Sequence, residues 1–176
     1  MTMLQKRLET PLGPVTVMSD GLSLTGLWFT DQKYYGSTLP KLTLVAERPI
    51  FAKVETWLTA YFAGKQPPVN FPVRPQGTPF RQAVWQQLQR IPYGQVRTYG
   101  ELAAEVGEQL GHFVGAQAIG GAVGHNPISL VVPCHRVVAG DGDLTGYAGG
   151  LPRKQTLLRL EGSLKSNEIK VNFEEN

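Results

Sequence analysis

Thr98-Tyr99-Gly100-Glu101-Leu102-Ala103-Ala104-Glu105-Val106, followed after a break by Val114-Gly115-Ala116-Gln117-Ala118-Ile119-Gly120-Gly121-Ala122-Val123, is the stretch that decides the fold of the C-terminal half. Thr98 and Glu101 stand at capping-box spacing, so a hydroxyl and a carboxylate each satisfy an orphan amide at the start of a helix. Leu102, Ala103 and Val106 form its inner face. The glycine-rich run 107–111 is expected to break the chain before the second segment. Two short helices around a glycine-bearing turn predict a helix-turn-helix. The second helix is made almost wholly of small residues, and each glycine in it costs about 1 kcal/mol against alanine. Close packing in a core is one reading. The other is a smooth helix able to enter a narrow groove, such as a DNA minor groove about 6 Å wide.

Upstream, Thr78-Pro79 supplies an N-cap and a proline at the first helical position, and Phe80, Val84 and Leu88 carry that helix to Pro92-Tyr93-Gly94. Further back, residues 14–29 read as a hairpin. Val15 and Val17 alternate with polar neighbours, Ser19-Asp20-Gly21 turns the chain, and Leu22, Leu24 and Leu27 lead to Trp28-Phe29. Ile50, Val54, Trp57, Leu58 and Tyr61 form the apolar stripe of a packed helix. Pro67, Pro68, Pro72, Pro75 and Pro79 then exclude helix and central strand alike. The expected boundary lies near residue 76, dividing the chain into domains 1–76 and 77–176.

The chain has 176 residues, 41% of them hydrophobic, enough for a real core without covalent staples. Its single cysteine excludes an internal disulfide and fits a reducing compartment. No run approaches the roughly 18 apolar residues of a membrane span, and the segment from Met1 to Arg7 lacks the apolar core of a signal peptide. A soluble, cytoplasmic protein without membrane association is expected. A net charge of +3 is compatible with a polyanionic partner and decides nothing by itself. His112, His125 and His135 are scattered, without the spacing of a zinc site. Neither GxGxxG nor a phosphate-binding GxxxxGK[ST] occurs, so no metal and no cofactor are expected.

The lone cysteine sits in Pro133-Cys134-His135-Arg136-Val137, after the apolar run Leu130-Val131-Val132. That run reads as a buried strand which surfaces at Cys134, because Pro133 blocks extension of a ladder. A thiol attacks only as thiolate, which a nearby imidazole or guanidinium favours. A small buried hydrophobe is the plain alternative for a lone cysteine. His135 and Arg136 are poor company for that role. The residues alone leave both readings standing.

Asn126-Pro127, the Pro133–Val137 motif, Gly146-Tyr147-Ala148-Gly149-Gly150 and the helix ending Leu157-Leu158-Arg159-Leu160-Glu161-Gly162 occur in an order and spacing that resemble the O6-alkylguanine-DNA alkyltransferases. The likeness runs from about Thr78 to Gly162. It implies an α/β (α+β) fold: an N-terminal ribonuclease-H-like small sheet with a helix, then a C-terminal winged-helix-like domain with the helix-turn-helix. It also implies DNA repair by one irreversible transfer of an alkyl group from O6 of guanine to Cys134, by a monomer acting on double-stranded DNA that carries O6-alkylguanine. In such proteins the second helix lies in the minor groove and the damaged nucleotide is flipped out.

By that resemblance Cys134 is the nucleophile, His135 its base through a water, and Glu161 the carboxylate that orients the imidazole. Asn126 braces the turn. Tyr99 donates a proton toward N3 of the flipped base. The Ala148 amide reaches O6, the carbonyls of Cys134 and Val137 accept from the exocyclic amine, and Tyr147 lines the pocket. Gly115, Ala116, Gln117, Ala118, Gly120, Gly121 and Arg136 face DNA. Three departures stand out. Ser129 occupies a place where relatives often have a proline in the alkyl pocket wall. Gln117 stands where an arginine is common. The connection 107–114 is about four residues longer than usual, with His112 and Arg97 candidates for phosphate contacts. An alkyltransferase-like protein that binds lesions without reacting is the alternative, although such relatives lack the cysteine. A cysteine hydrolase would need a base aligned otherwise than in an adjacent Cys-His pair.

Overall fold

A computed structural model describes residues 2–41 and 43–164. The chain forms two compact units, one of residues 2–76 with 127–131 and one of residues 77–126 with 132–164. The second unit is therefore not the single run 77–176 expected from the prolines, because a five-residue excursion clusters with the N-terminal unit.

In the first unit, strands β1 (Met3–Leu8), β2 (Val15–Ser19), β3 (Leu24–Phe29) and β4 (Thr43–Val45) form a sheet of order β3-β2-β1-β4. The β1/β2 and β2/β3 pairs are antiparallel and β1/β4 is parallel. The predicted hairpin is β2/β3. Asp20 Oδ1 accepts from the amides of Leu22 and Ser23 at 2.9 and 2.8 Å, and Gly21 holds a φ of 103° that favours glycine. Leu22, expected to lead the second strand inward, lies in this turn and is 79% exposed. Helix α1 (Pro49–Phe62) buries Ile50, Val54, Trp57, Leu58 and Tyr61, the predicted stripe, together with Phe51.

The proline-rich joint is tied down. Leu24 donates to Pro72 O and accepts from Arg74 N, both at 2.8 Å, and the Trp57 indole donates to Pro67 O at 3.1 Å. Pro127–Ser129 is held against β3 in the same manner, with Leu27 N on Pro127 O and Ser129 N on Leu27 O. Proline cannot donate to a ladder, so both segments contribute isolated bridges, Leu24 with Val73 and Leu27 with Ile128.

The second unit contains α2 (Pro79–Leu88), β5 (Arg97–Thr98), α3 (Tyr99–Leu110), α4 (Ala116–Gly124), β6 (Val137–Val138) and α5 (Leu151–Leu160). Strands β5 and β6 pair in parallel. Thr78 caps α2 by accepting from Arg81 N at 3.2 Å. The capping box at α3 is complete: Glu101 N donates to Thr98 Oγ1 at 3.0 Å, and Thr98 N donates to Glu101 Oε1 at 3.1 Å. Trp85 is buried and its indole donates to Ala122 O at 2.9 Å, fastening α4 to α2.

Two expectations are corrected here. Helix α3 does not break at Gly107 but continues to Leu110, and Gly111 ends it with φ 78°. Gly107 is needed for close approach, since a Cβ there would meet the His112 carbonyl oxygen at 2.9 Å. Residues 107–110 of the expected connection are thus helical. Leu130-Val131-Val132 is not a strand. Leu130 adopts φ 71°, and Val131 N→Ser129 O and Cys134 N→Val132 O, each 2.8 Å, curl the chain into tight turns. The run is buried, which explains its apolar composition without a ladder.

Candidate active site

Cys134, His135 and Arg136 form one turn of 3-10 helix, and Val137 N donates back to Cys134 O. Glu161 is the C-cap residue of α5. His135 Nε2 lies 2.6 Å from Glu161 Oε2, both side chains wholly withdrawn from solvent. Arg136 closes the other side: Nε donates to Oε1 at 2.7 Å, Nη2 to Oε2 at 3.1 Å and Nη1 to Ile91 O at 2.7 Å. Its guanidinium lies over the Tyr93 ring at 5.8 Å. Arg136, expected to face DNA, is committed inward because a buried carboxylate needs a permanent cation.

These contacts fix protonation states. Burial alone would raise the Glu161 pKa, but hydrogen bonds and charges from His135 and Arg136 hold it at about 2. Burial lowers the His135 pKa below its ordinary value despite the carboxylate, so the ring rests neutral. A neutral ring facing a carboxylate with Nε2 must carry its proton there, which leaves Nδ1 as the lone pair. Nδ1 is buried and has no protein partner among the described residues.

Cys134 is 4% exposed. Burial pushes its pKa up, opposed by a hydrogen bond from Asn126, the charge of Lys154 and its own backbone amide. Asn126 Nδ2 also donates to Val132 O at 2.8 Å, pinning the chain where it returns to this unit. Tyr99, the first residue of α3, donates its hydroxyl to Thr145 O at 3.1 Å. Its ring runs beside Gly120 of α4 and its hydroxyl beside Gly146, where added Cβ atoms would lie 4.0 and 3.9 Å away. Burial raises the Tyr99 pKa, with a further contribution from Cys134. The Tyr147 hydroxyl is buried without a partner among the described residues, and burial pushes its pKa well up. Ala148 is half-buried beside it, and Val137 pairs with Arg97 in the small sheet.

Lys154 belongs to no motif in the sequence. Its place among Leu151, Leu157 and Leu158 on the inner face of α5 is the signal that could have found it. Its ammonium donates to Gly146 O at 3.0 Å and Thr145 O at 3.3 Å. Ser129 belongs to the first unit, where its hydroxyl donates to Gln32 Oε1 at 3.2 Å.

The two readings of the small-residue helix can now be separated. Ile119, Ala122 and Val123 pack inward, whereas Ala116, Gln117, Ala118 and Gly121 are exposed and Gly115 and Gly120 half-buried. A Cβ at Gly115 or Gly121 would meet nothing within 4 Å. Protein packing therefore does not require glycine at either place. Arg97 is 3.6 Å from Glu105, and His112 is exposed.

Among the described residues no cluster of three or more His, Cys, Asp or Glu is placed to hold a metal ion, and no helix is long and apolar enough to cross a membrane. Residues 79–163 match the family model of the 6-O-methylguanine DNA methyltransferase DNA binding domain, and residues 3–75 that of its ribonuclease-like domain. A methylated-DNA–protein-cysteine methyltransferase of Haemophilus influenzae is 42% identical over 153 residues, spanning 86% of this chain and 82% of the relative. One from Mycolicibacterium paratuberculosis is 45% identical over 157 residues, spanning 89% and 90%. The crystal structure of Mycobacterium tuberculosis OGT in complex with DNA matches with a TM-score of 0.77 and 38% identity, covering 93% of this chain and 94% of that one. With both halves matched and relatives above 40% identity aligned along most of their length, the chain belongs to the O6-methylguanine DNA methyltransferase family.

Proposed function

We propose that this protein repairs DNA by moving an alkyl group, methyl in the simplest case, from O6 of a guanine in duplex DNA to the sulfur of Cys134. The observation that carries the reading is the state of His135. Its Nε2–H is committed to Glu161 at 2.6 Å, so a buried, unprotonated Nδ1 is available as a base on the residue that follows the chain's one cysteine.

The steps follow from that arrangement. The Cys134 proton passes to His135 Nδ1 through a water, and Glu161, itself paired with Arg136, stabilises the imidazolium. The thiolate attacks the alkyl carbon from the side opposite O6. The S–C bond forms as the C–O6 bond breaks, and the electron pair leaves with the guanine. Tyr99 delivers its proton toward N3, releasing Thr145 O as it does so. The Ala148 amide donates to O6, the carbonyls of Cys134 and Val137 accept from the exocyclic amine, and Tyr147 walls the pocket. The product is a thioether, whose C–S bond is stable to water, so each molecule acts once.

A cysteine only 4% exposed cannot bring its sulfur to a base inside a duplex, so the nucleotide must be flipped toward it. The exposed face of α4 suits that task. Gly115, Ala116, Gln117, Ala118, Gly120 and Gly121 present a smooth surface to a minor groove. The protein acts as a monomer in this reading, and Asn126 keeps the active-site turn in place.

The test is to mix the protein with a duplex containing O6-methylguanine and map the added methyl by mass spectrometry. One methyl per protein on Cys134 is expected, with Cys134→Ala binding the duplex and accepting none. Methylation that persists in Cys134→Ala would overturn the assignment.

A further inference from the structure

Helix α5 buries Leu151, Lys154, Leu157 and Leu158 along one side, and Lys154 is 0% exposed. Lysine is almost never found so deeply buried without an ionic partner. Among the described residues no carboxylate pairs with this one; its donors go to two neutral carbonyls, Gly146 O and Thr145 O. A leucine or methionine would fill the same place in the helix at no electrostatic cost, so the charge calls for an explanation. Burial lowers its pKa to about 8, which keeps it cationic at neutral pH, and the ionised Cys134 sulfur would favour that charge. The same interaction favours the thiolate.

We infer that Lys154 is a positioning residue for the transfer: it fixes a buried positive charge within electrostatic reach of Cys134 and holds the Thr145 carbonyl to which the Tyr99 hydroxyl is tied. This rests on the proposed alkyl transfer to Cys134. While the thiol is protonated, the ammonium faces no anion among the described residues. When the proton leaves for His135 the sulfur becomes that anion, and the charge that was costly in the resting site stabilises the nucleophile. Lys154 gains and loses no bond in the step. Its second contribution is mechanical. Thr145 O accepts from both Tyr99 at 3.1 Å and Lys154 at 3.3 Å, so one clamp sets the height of the acid that must meet the departing guanine.

The test compares wild type with Lys154→Met, which keeps length and removes charge, in single-turnover methyl transfer from an O6-methylguanine duplex across pH. Cys134 is hydrogen-bonded by Asn126 and interacts electrostatically with Lys154, Tyr99 and Tyr147, its neighbour His135 is backed by Glu161 and Arg136, and only Lys154 differs between the two proteins. The expected result is a rate lowered about 10- to 100-fold at neutral pH. The acid limb of the pH–rate profile should move to higher pH, with duplex affinity within about threefold of wild type. If Lys154→Met does not fold, Lys154→Gln gives the same comparison, retaining a donor without charge. A variant as fast as wild type overturns the inference, and so does a slowed variant whose pH profile has not moved. Wild type that places no methyl on Cys134 defeats the underlying reading instead.

Discussion

Glu161 Oε2 and His135 Nε2 are 2.6 Å apart in a place solvent does not reach, and Arg136 holds the far side of the same carboxylate. The carboxylate is thus compensated before the imidazole ever takes a proton. Glu161→Gln keeps the shape and removes the charge, leaving Arg136 buried against a neutral amide. Breaking one partner of a buried pair costs about 3–5 kcal/mol. We expect a loss near the lower figure in urea melts, since Gln can still accept from Nε2. Methyl transfer should slow about 100-fold or more, because the imidazolium loses its stabiliser. Duplex binding should not change.

The same pair dictates the response to acid. The Glu161 pKa is about 2 in the fold against an ordinary value near 4.5. A depressed carboxylate contributes stability that is complete above the unfolded value and is lost as pH falls toward the folded one, here about 3 kcal/mol between roughly pH 5 and 2. His135 is lowered below 6.5, so the unfolded chain takes that proton first and stability begins to fall below about pH 6.5. Urea midpoints should therefore decline in two stages, and Glu161→Gln should flatten the lower stage. A midpoint constant from pH 7 to 4 would mean that the pair is not buried as described.

Local signals were legible and long-range ones were not. The Thr98–Glu101 box, the Thr78-Pro79 start and the Asp20-Gly21 turn are written within four residues, and each stands where the sequence placed it. Strands β1 and β4 escaped notice because β4 is three residues long and pairs across about forty positions, Met3 with Thr43. Leu130-Val131-Val132 was misread because burial demands apolar residues whether or not a ladder forms, and nothing in the letters announces a leucine at φ 71°. At the site, Cys134, His135 and Glu161 could be named from motif order. Arg136 could not be assigned inward, since its partners Ile91 and Glu161 are far away in sequence.

Gly121 offers a separation of stability from binding. A methyl there meets nothing within 4 Å and the residue is exposed on α4, so Gly121→Ala should stabilise the helix by about 0.5–1 kcal/mol. If that face enters a minor groove, the same methyl crowds the DNA. Gly121→Leu should keep most of the gain in urea melts while weakening duplex binding about 10-fold or more. Unchanged affinity in Gly121→Leu would remove α4 from the interface.

Gln117 is exposed at the first turn of the same helix and is uncharged. Gln117→Arg adds one cation to the face proposed to meet DNA. Affinity at low salt should rise several-fold, and the slope of log affinity against log salt should steepen by about one. Titrations of an unmodified duplex at several salt concentrations measure both. An unaltered slope would place the side chain away from the backbone.

Lys154 sets stability against reactivity. Its pKa falls from 10.5 to about 8 because burial penalises the ammonium. The unfolded chain therefore holds this proton more tightly, and the folded state at pH 7 bears a cost of about 3 kcal/mol that disappears as pH rises from about 8 to 10.5. Lys154→Met removes that cost but takes the Lys154 donor from Gly146 O and leaves Thr145 O with Tyr99 alone, worth about 1–2 kcal/mol. The variant should be more stable than wild type at pH 7 by about 1–2 kcal/mol, with a melting temperature a few degrees higher. Near pH 10 the advantage should vanish or reverse, since wild type has then shed the proton. The thiol and the tyrosines are common to both proteins, so the difference between them isolates the lysine. A variant less stable at pH 7 and pH 10 alike would show that the two carbonyl contacts outweigh the buried charge.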